Sequence, residues 1–215
     1  MPLTKLVYCA KEGQCYFQNT MYDWFSGGNT ETEQMQARVK SLHERFNLYL
    51  PGFNILEISS ISEEPLGVEV SGLKLRDSRG NLIEGVYRGS RVYEGGQLKD
   101  LYHVDTASQA IHDKRGNDLG MFSEYDWYGQ RVPTEPVTLM KHWIWCEAVY
   151  NQKDLREGIL KYDAFTNYFS NTARDYFGCY PHAAAILVAL NQSNVLDIAM
   201  KDITSFAYYA YGISI

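Results

Sequence analysis

Three charged side chains near the middle of the chain have a spacing that could form a reactive site. Glu84, Arg88 and Arg91 stand at positions i, i+4 and i+7, which places them on one face of a helix. A carboxylate can act as a general base or stabilise positive charge, and guanidinium groups bind phosphates through paired hydrogen bonds. Gly85 and Gly89 would let another chain segment or a ligand approach closely. The alternative is that Glu84 and Arg88 form a solvated ion pair worth about 0.3–0.5 kcal/mol.

The other polar motifs indicate no common enzyme class. The five histidines lack metal-binding spacing, and the four cysteines, which include Cys146 and Cys179, form no Cys-x-x-Cys pair. We therefore expect no metal, no disulfide framework and no cofactor. The sequence also lacks a Walker-type phosphate loop, a nucleophile elbow and a dinucleotide-binding glycine turn. Asp163, Thr166 and Asn167 could line a pocket, although turn capping is the commoner use of such residues.

Length and composition are those of an ordinary globular protein. The chain has 215 residues, of which 45% are hydrophobic and 21% charged, and we expect one domain over residues 1–215. Its net charge of −6 argues against a basic face that grips a nucleic-acid backbone, so any contact with a polyanion must be local. The apolar runs fall short of the ~20 residues of a membrane span. The N-terminus lacks the features of a secretory signal, and we expect a cytoplasmic protein without membrane contact.

Hydrophobic periodicity predicts a helix-rich α+β fold with a small sheet. Predicted strands cover residues 5–9, 14–18, 53–59, 67–75 and 119–125. Predicted helices cover 30–46, 82–93, 106–114, 136–150 and 183–190, with an amphipathic stretch at 155–162 and an irregular segment at 163–180. Thr30 with Glu33 has the spacing of a capping box at the start of the first helix.

The helix predicted for residues 82–93 matters most, because it would carry all three charged side chains. Asn81 followed by Glu84 is typical of a helix start, and Gly95-Gly96 is typical of a helix end. The chemistry of the candidate site therefore depends on this element.

Four segments, read in order, resemble one protein family. They are residues 41–43 with 56–62, residues 65–68 through 71–73, residues 83–93 with 100–102, and residues 162–167. In this order they resemble the NADAR proteins, in the branch that is associated with DarT toxins. The resemblance covers most of the chain, including an N-terminal helix that smaller NADAR proteins lack.

The resemblance implies a NADAR-type α+β domain with a small antiparallel sheet from the N-terminal half, on which residues 1–53 pack as an extension. It also implies an N-glycosidase that removes ADP-ribose from guanine in single-stranded DNA and so reverses a DarT-type ADP-ribosyltransferase, the expected partner. Cleavage of such a bond passes through an oxocarbenium-like state that a nearby carboxylate stabilises. By match to the family motif, Glu84 takes that role and Trp143 stacks on base or sugar.

The candidate residues fall into two groups. The catalytic group is Glu84, Arg91 and Asn167. The ligand-binding group is Ser59, Ser60, Ser71, Gly72, Tyr87, Arg88, Trp143 and Asp163.

This chain departs from the family pattern at several of these positions. The family usually has glutamine at the position of Arg88, lysine at that of Arg91, lysine near Ile111 and aspartate at that of Asn167. A lysine can form a Schiff base with an opened sugar, whereas an arginine cannot. Asparagine keeps the shape of aspartate but loses its charge. The family's Cys-Gln-Ala run here reads Cys-Tyr-Pro-His at residues 179–182.

These departures leave two alternatives to the glycosidase. In the first, the added arginines hold the diphosphate while turnover is impaired, which gives a protein that binds ADP-ribose or ADP-ribosylated DNA. In the second, the chain is a NADAR-like enzyme on another N-glycoside, such as an intermediate of the riboflavin pathway. The extended N-terminal half argues against the second alternative.

Overall fold

The computed structural model describes residues 3–23, 29–170 and 180–215. Outside the described residues lie 26–28, part of the turn that the run Ser26-Gly27-Gly28-Asn29 predicts, and 171–179, part of the segment predicted to be irregular, which includes Cys179. The strands are β1 (Leu3–Lys11), β2 (Gln14–Tyr22), β3 (Ile55–Glu57), β4 (Arg91–Tyr93), β5 (Gly96–Gln97), β6 (Phe122–Trp127), β7 (Gln130–Val132) and β8 (Ala164–Thr166). The helices are α1 (Glu31–Tyr49), α2 (Pro65–Glu69), α3 (Ile83–Gly89), α4 (Ala107–His112), α5 (Leu139–Tyr150), α6 (Lys153–Ile159), α7 (Tyr180–Gln192), α8 (Leu196–Ala199) and α9 (Ile203–Tyr211). The α+β class is confirmed.

The first sheet has the strand order β2-β1-β8-β3. A two-residue turn, Glu12-Gly13, joins β1 to β2, and both residues have positive φ, as the tight hairpin turns that match strand twist require. β8 runs antiparallel to β1 and parallel to β3, so this sheet is mixed rather than purely antiparallel. The N-terminal hairpin of β1 and β2 is thereby joined to β8, which is far from it in the sequence.

The second sheet has the order β5-β4-β6-β7 and is antiparallel throughout. The predicted strand at 119–125 is present here with shifted bounds, as β6. Its neighbour β4 pairs Arg91 with Tyr125, which attaches one of the candidate arginines to the sheet.

Three predicted elements are wrong, one of them being the irregular segment at 163–180, because Ala164–Thr166 form β8 between β1 and β3. Residues 67–75 do not form a strand, because Pro65 stands in the first turn of α2 and its fixed φ suits a helix start. The helix predicted to run through residue 93 ends at Gly89 instead. A Cβ at Gly89 would lie 3.1 Å from the backbone nitrogen of Tyr102, so the chain turns there against a neighbouring segment. The next residues include the β-branched Val92 and the aromatic Tyr93, which favour a strand, and they form β4. Arg91 therefore lies on this strand and not on the helix.

The core lies around α5 and α7, most of whose residues are buried. The long apolar run of α7 packs on α5 and β1, and its small alanines allow close approach. Trp145 is fully buried and donates from Nε1 to the carbonyl of Val70 at 2.8 Å. In the three ranges given above, no helix combines the length and the apolar composition that crossing a membrane requires.

Candidate active site

Glu84 lies in the first turn of α3 and is buried, with 6% of its surface exposed. α3 packs against α4, α5 and the short 3-10 turn Lys99–His103, and most of its residues are buried by these contacts. A Cβ at Gly85 would lie 2.5 Å from the carbonyl oxygen of Leu101, so the glycine permits this packing. The ion pair considered from the sequence is present, with Arg88 Nε 3.8 Å from Glu84 Oε2, but the Glu84 carboxyl group is buried rather than solvated.

Three side chains from three elements surround the Glu84 carboxyl group. The Tyr180 hydroxyl donates a hydrogen bond to Oε1. The Lys141 ammonium nitrogen lies 3.5 Å from the same oxygen, and Arg88 Nε lies 3.8 Å from Oε2. The buried carboxyl group thus has two partly exposed cations beside it, and their interaction with it is stronger than between fully solvated charges.

Tyr180 fits beside Glu84 because residue 72 is glycine. A Cβ at Gly72 would lie 2.2 Å from Cε2 of the Tyr180 ring. Burial raises the pKa of Tyr180 well above its usual value, and the neighbouring charge of Glu84 raises it further. The phenol therefore remains a donor to the carboxylate over the accessible pH range. Gly72, predicted as a ligand-binding residue, makes room for this tyrosine.

Lys141 lies against two aromatic rings as well as against Glu84. Its nitrogen is 4.8 Å from the ring centroid of Tyr180 and 5.4 Å from that of Tyr87. Both distances are within the range of cation–π attraction. The three residues Lys141, Tyr180 and Tyr87, which we call the Lys141 cage, hold the ammonium group over the α3 helix.

Arg91 joins this arrangement from β4 rather than from the helix. Its Nη2 donates to the Tyr87 hydroxyl oxygen at 3.1 Å, and its guanidinium carbon lies 4.7 Å from the Tyr87 ring centroid. Burial lowers the pKa of Arg91, but the hydroxyl oxygens of Tyr87 and Tyr93 outweigh burial and raise it, so the guanidinium stays charged. The prediction that Arg91 shares a helix face with Glu84 is wrong, although both residues contact the Lys141 cage.

A small cavity of about 60 Å³ lies beside the two arginines. It is lined by Arg88, Arg91 and the carboxylate-bearing Asp113, together with residues of β4, α4 and the segment 98–117. The Nε atoms of both arginines are buried and have no hydrogen-bond partner within the described residues. A buried donor without a partner is costly, so these two nitrogens would gain from an anionic ligand.

Ser59 and Ser71 lie in the interior, whereas Ser60 is exposed. Ser71 Oγ donates to the carbonyl of Val68 at 2.6 Å, and Ser59 hydrogen-bonds the buried Glu57. Their hydroxyls are thus engaged by the protein itself, and a ligand role for these serines stays a prediction.

Asn167 and Asp163 flank strand β8 and bind the backbone of its neighbours. Asn167 donates from Nδ2 to the carbonyl of Ile58 at 2.9 Å and accepts from the Phe169 amide at 2.8 Å. Asp163 accepts from the Asn54 amide at 3.4 Å. These contacts hold the turns at the ends of β3 and β8, and no described hydrogen bond or ion pair joins either residue to Glu84. Their predicted roles stay predictions.

Trp143 is 2% exposed and lies in the core. Its ring packs edge-on against Trp127, with centroids 5.4 Å apart, and against Phe206 at 5.6 Å. Its Nε1 has no partner within the described residues. The ring faces are covered by protein side chains, so the predicted stacking on a ligand requires that part of this packing open.

Lys141 and Tyr180 are the two site residues that sequence reasoning missed. Lys141 precedes the matched Trp143 by two positions, and Tyr180 belongs to the altered run at 179–182. Neither is linked to Glu84 by a local spacing rule, because the contacts depend on how α5 and α7 pack against α3. Among the residues that the structure describes, no group of three or more His, Cys, Asp or Glu side chains is arranged to hold a metal ion.

Comparison with known families identifies the chain. A sequence model of the family described as the DarT1-associated NADAR antitoxin matches residues 4–214. Among curated proteins, none matches the chain. The family match spans the N-terminal hairpin, helix α1 and every residue around Glu84. It confirms the resemblance drawn from the sequence, and the chain belongs to the family of NADAR antitoxins that are associated with DarT1 toxins.

Proposed function

We propose that this protein is an N-glycosidase that releases ADP-ribose from guanine in single-stranded DNA, and so reverses the modification made by a DarT-type toxin. Membership of a DarT1-associated antitoxin family supports the antitoxin role and a toxin partner. The observation that carries the proposed chemistry is the buried Glu84 carboxyl group, with Lys141, Arg88 and Tyr180 arranged around it.

The two oxygens of Glu84 have different surroundings. Oε1 is engaged by Tyr180 and lies near Lys141, which fixes the plane of the carboxyl group. Oε2 has Arg88 at 3.8 Å, beyond hydrogen-bond distance. Oε2 is therefore the oxygen that would stabilise the positive charge at the anomeric carbon and direct a water molecule to it.

The diphosphate of ADP-ribose suits the two arginines. Their buried Nε atoms lack acceptors within the described residues, and phosphate oxygens supply acceptors in the matching planar geometry. Arg91 carries its charge permanently and cannot act as a covalent amine, so we assign it ligand binding. Lys141 receives an electrostatic role, because Glu84 and two aromatic rings hold its ammonium group.

In hydrolysis, the bond between the anomeric carbon and the guanine nitrogen breaks, and its electron pair leaves with guanine. Water adds to the anomeric carbon and transfers a proton toward Glu84. The protein supplies charge stabilisation, orientation and partial exclusion of bulk water to this reaction.

The test uses a single-stranded oligonucleotide that carries ADP-ribose on guanine. We expect the wild-type chain to release free ADP-ribose and Glu84→Gln to lower the rate by about 100-fold or more. The matched control is Glu157→Gln, since Glu157 is an exposed residue in a surface pair with Lys153 and should leave the rate unchanged. Equal rates for Glu84→Gln and the wild type would contradict the proposal.

The same experiment addresses the alternative of a binding protein, which is favoured by the Nε atoms of Arg88 and Arg91, since neither has a hydrogen-bond acceptor among the described residues. Tight complex formation with the modified oligonucleotide, without release of ADP-ribose, would support that alternative. The net charge of −6 predicts weak binding to the unmodified oligonucleotide, with little dependence on salt. Tight binding of unmodified duplex DNA would contradict both the glycosidase function and the alternative of a protein that binds ADP-ribosylated DNA.

A further inference from the structure

The hydroxyl group of Tyr87 lies at the meeting point of four elements. It belongs to α3, one turn after Glu84, and it receives Arg91 from β4 and Tyr125 from β6. Lys141 of α5 lies over its ring. The residue is partly exposed, unlike Tyr125 and Tyr180 beside it.

The hydrogen-bond roles at this oxygen follow from the donor inventory. Arg91 has no acceptor, so the Tyr87 oxygen must accept in the 3.1 Å contact. The contact between the hydroxyls of Tyr87 and Tyr125, at 3.4 Å, allows Tyr125 to donate to the same oxygen. The proton of Tyr87 is then used by neither contact and can point toward a ligand.

The charges around Tyr87 favour loss of that proton. Burial raises the pKa of Tyr87, but the charge of Arg91, the hydrogen bonds from Tyr125 and Arg91, and the charge of Lys141 outweigh burial and lower it below the usual value. Burial raises the pKa of the partner, Tyr125, and the neighbouring Tyr87 raises it further, so Tyr125 keeps its proton and remains a donor.

The other groups near this position are Glu84 and Arg88 on α3 itself and Tyr180 on α7. Tyr180 is a poor proton donor for chemistry, because its hydroxyl is already bonded to Glu84 and its pKa is raised. Arg88 and Arg91 do not lose protons in the accessible pH range. Tyr87 is thus the phenol of this group whose proton is both unengaged and made acidic by its surroundings.

We propose that Tyr87 donates the proton that the leaving guanine nitrogen takes up when the glycosidic bond breaks, while Arg91 and Tyr125 stabilise the phenolate that remains. This inference rests on the proposed glycosidase function. The guanine nitrogen receives the bond's electron pair and the Tyr87 proton. Water gives hydroxide to the anomeric carbon and its proton to Glu84, and that proton returns through solvent to Tyr87. One water molecule is consumed overall, and no oxidant or reductant is needed.

The decisive variant is Tyr87→Phe, which keeps the ring over which Lys141 and Arg91 lie. We expect the wild-type rate of ADP-ribose release to fall at alkaline pH as Tyr87 loses its proton. We expect Tyr87→Phe to lower the rate by about 100-fold and to abolish this alkaline fall. The control is Tyr150→Phe, which removes a hydroxyl bonded to Asp197 on the surface and should leave rate and profile unchanged.

A second substitution keeps the hydroxyl group and changes only its acidity. With 3-fluorotyrosine at position 87, a more acidic phenol, the alkaline fall should move to lower pH. Lys141→Met removes a positive charge from above the ring and should move the fall to higher pH, whatever it does to the maximal rate.

The outcomes separate this inference from the function on which it rests. If the wild type releases no ADP-ribose, the glycosidase function and the Tyr87 step both fail. If the wild type is active and Tyr87→Phe keeps its rate or its alkaline fall, the Tyr87 step alone is overturned. An alkaline fall that does not move with 3-fluorotyrosine would also overturn it.

Discussion

The Tyr180 hydroxyl donates a hydrogen bond to Glu84 Oε1, although 96 residues separate the two in the sequence. The bond joins the start of α7 to the first turn of α3 and is buried. Because a carboxylate is an acceptor only, its orientation depends on donors of this kind. Tyr180 is therefore a positioning residue for the proposed reaction.

Tyr180→Phe tests this positioning role. The variant keeps the ring but leaves Oε1 with Lys141 alone, so we expect ADP-ribose release to fall by about tenfold. We also expect the free energy of unfolding to fall by roughly 1–3 kcal/mol, the cost of a buried acceptor that loses its donor. Chemical denaturation and rate measurements on the same preparation check both effects. An unchanged rate with lowered stability would mean that the bond is only structural.

Gly72→Ala tests the space that Tyr180 occupies. The added methyl group would lie 2.2 Å from the Tyr180 ring, so the ring must move, at a cost of about 1–3 kcal/mol. We expect the variant to be destabilised and to release ADP-ribose more slowly. In the background of Tyr180→Leu, where the ring is missing, the same substitution should cost much less. Equal costs in both backgrounds would contradict this account of Gly72.

The features that sequence reasoning predicted correctly depend on short-range rules. The capping box of α1 joins Thr30 and Glu33, which are three residues apart, and both of its hydrogen bonds are present. The pairing of Glu84 with Arg88 likewise follows from helix spacing. The family resemblance depended on the order of several motifs, and it was confirmed over nearly the whole chain.

The features that it missed depend on contacts between distant segments. Helix α3 ends at Gly89 because Tyr102 packs there and because the next residues pair with β6, and neither cause can be read from residues 82–93 alone. Arg91 consequently reaches the site from a strand. Lys141 and Tyr180 meet Glu84 only through the packing of three helices. Gly72 was predicted to contact a ligand, but the structure shows that the Tyr180 ring occupies the space that a side chain at this position would need.

Arg88 and Arg91 are expected to contribute to the affinity for ADP-ribose. Arg88→Gln and Arg91→Gln each remove a charged group from the cavity beside α3, where hydrogen bonds to charged groups contribute about 1.5–3 kcal/mol. We expect each variant to weaken binding of free ADP-ribose by roughly 10–100-fold in a titration calorimeter. Arg45→Gln is the matched control, because Arg45 is exposed and pairs with Asp23. Unchanged affinity in both arginine variants would contradict the diphosphate assignment.

Two histidines with lowered pKa values are expected to make the stability of the protein depend on pH. Burial lowers the pKa of His43 and of His182 to about 4 each. His43 bonds the Thr166 hydroxyl through Nε2 at 2.8 Å, and the His182 ring lies 5.0 Å from Tyr8 and 4.5 Å from His142. Since the unfolded chain binds protons near pH 6.5, it holds more protons than the folded chain between about pH 6.5 and 4. Stability should therefore fall as the pH drops through this window.

The expected size of this loss is roughly 2 kcal/mol for each imidazole between pH 7 and pH 5. Urea denaturation of the wild type, His43→Gln and His182→Gln at both pH values measures this loss. The contribution of the carboxylates is common to all three proteins, so the differences between them report the imidazoles. Each variant should lose less stability than the wild type on acidification, even if it starts from a lower value at pH 7. Parallel losses in all three proteins would mean that these imidazoles already accept protons in the folded state.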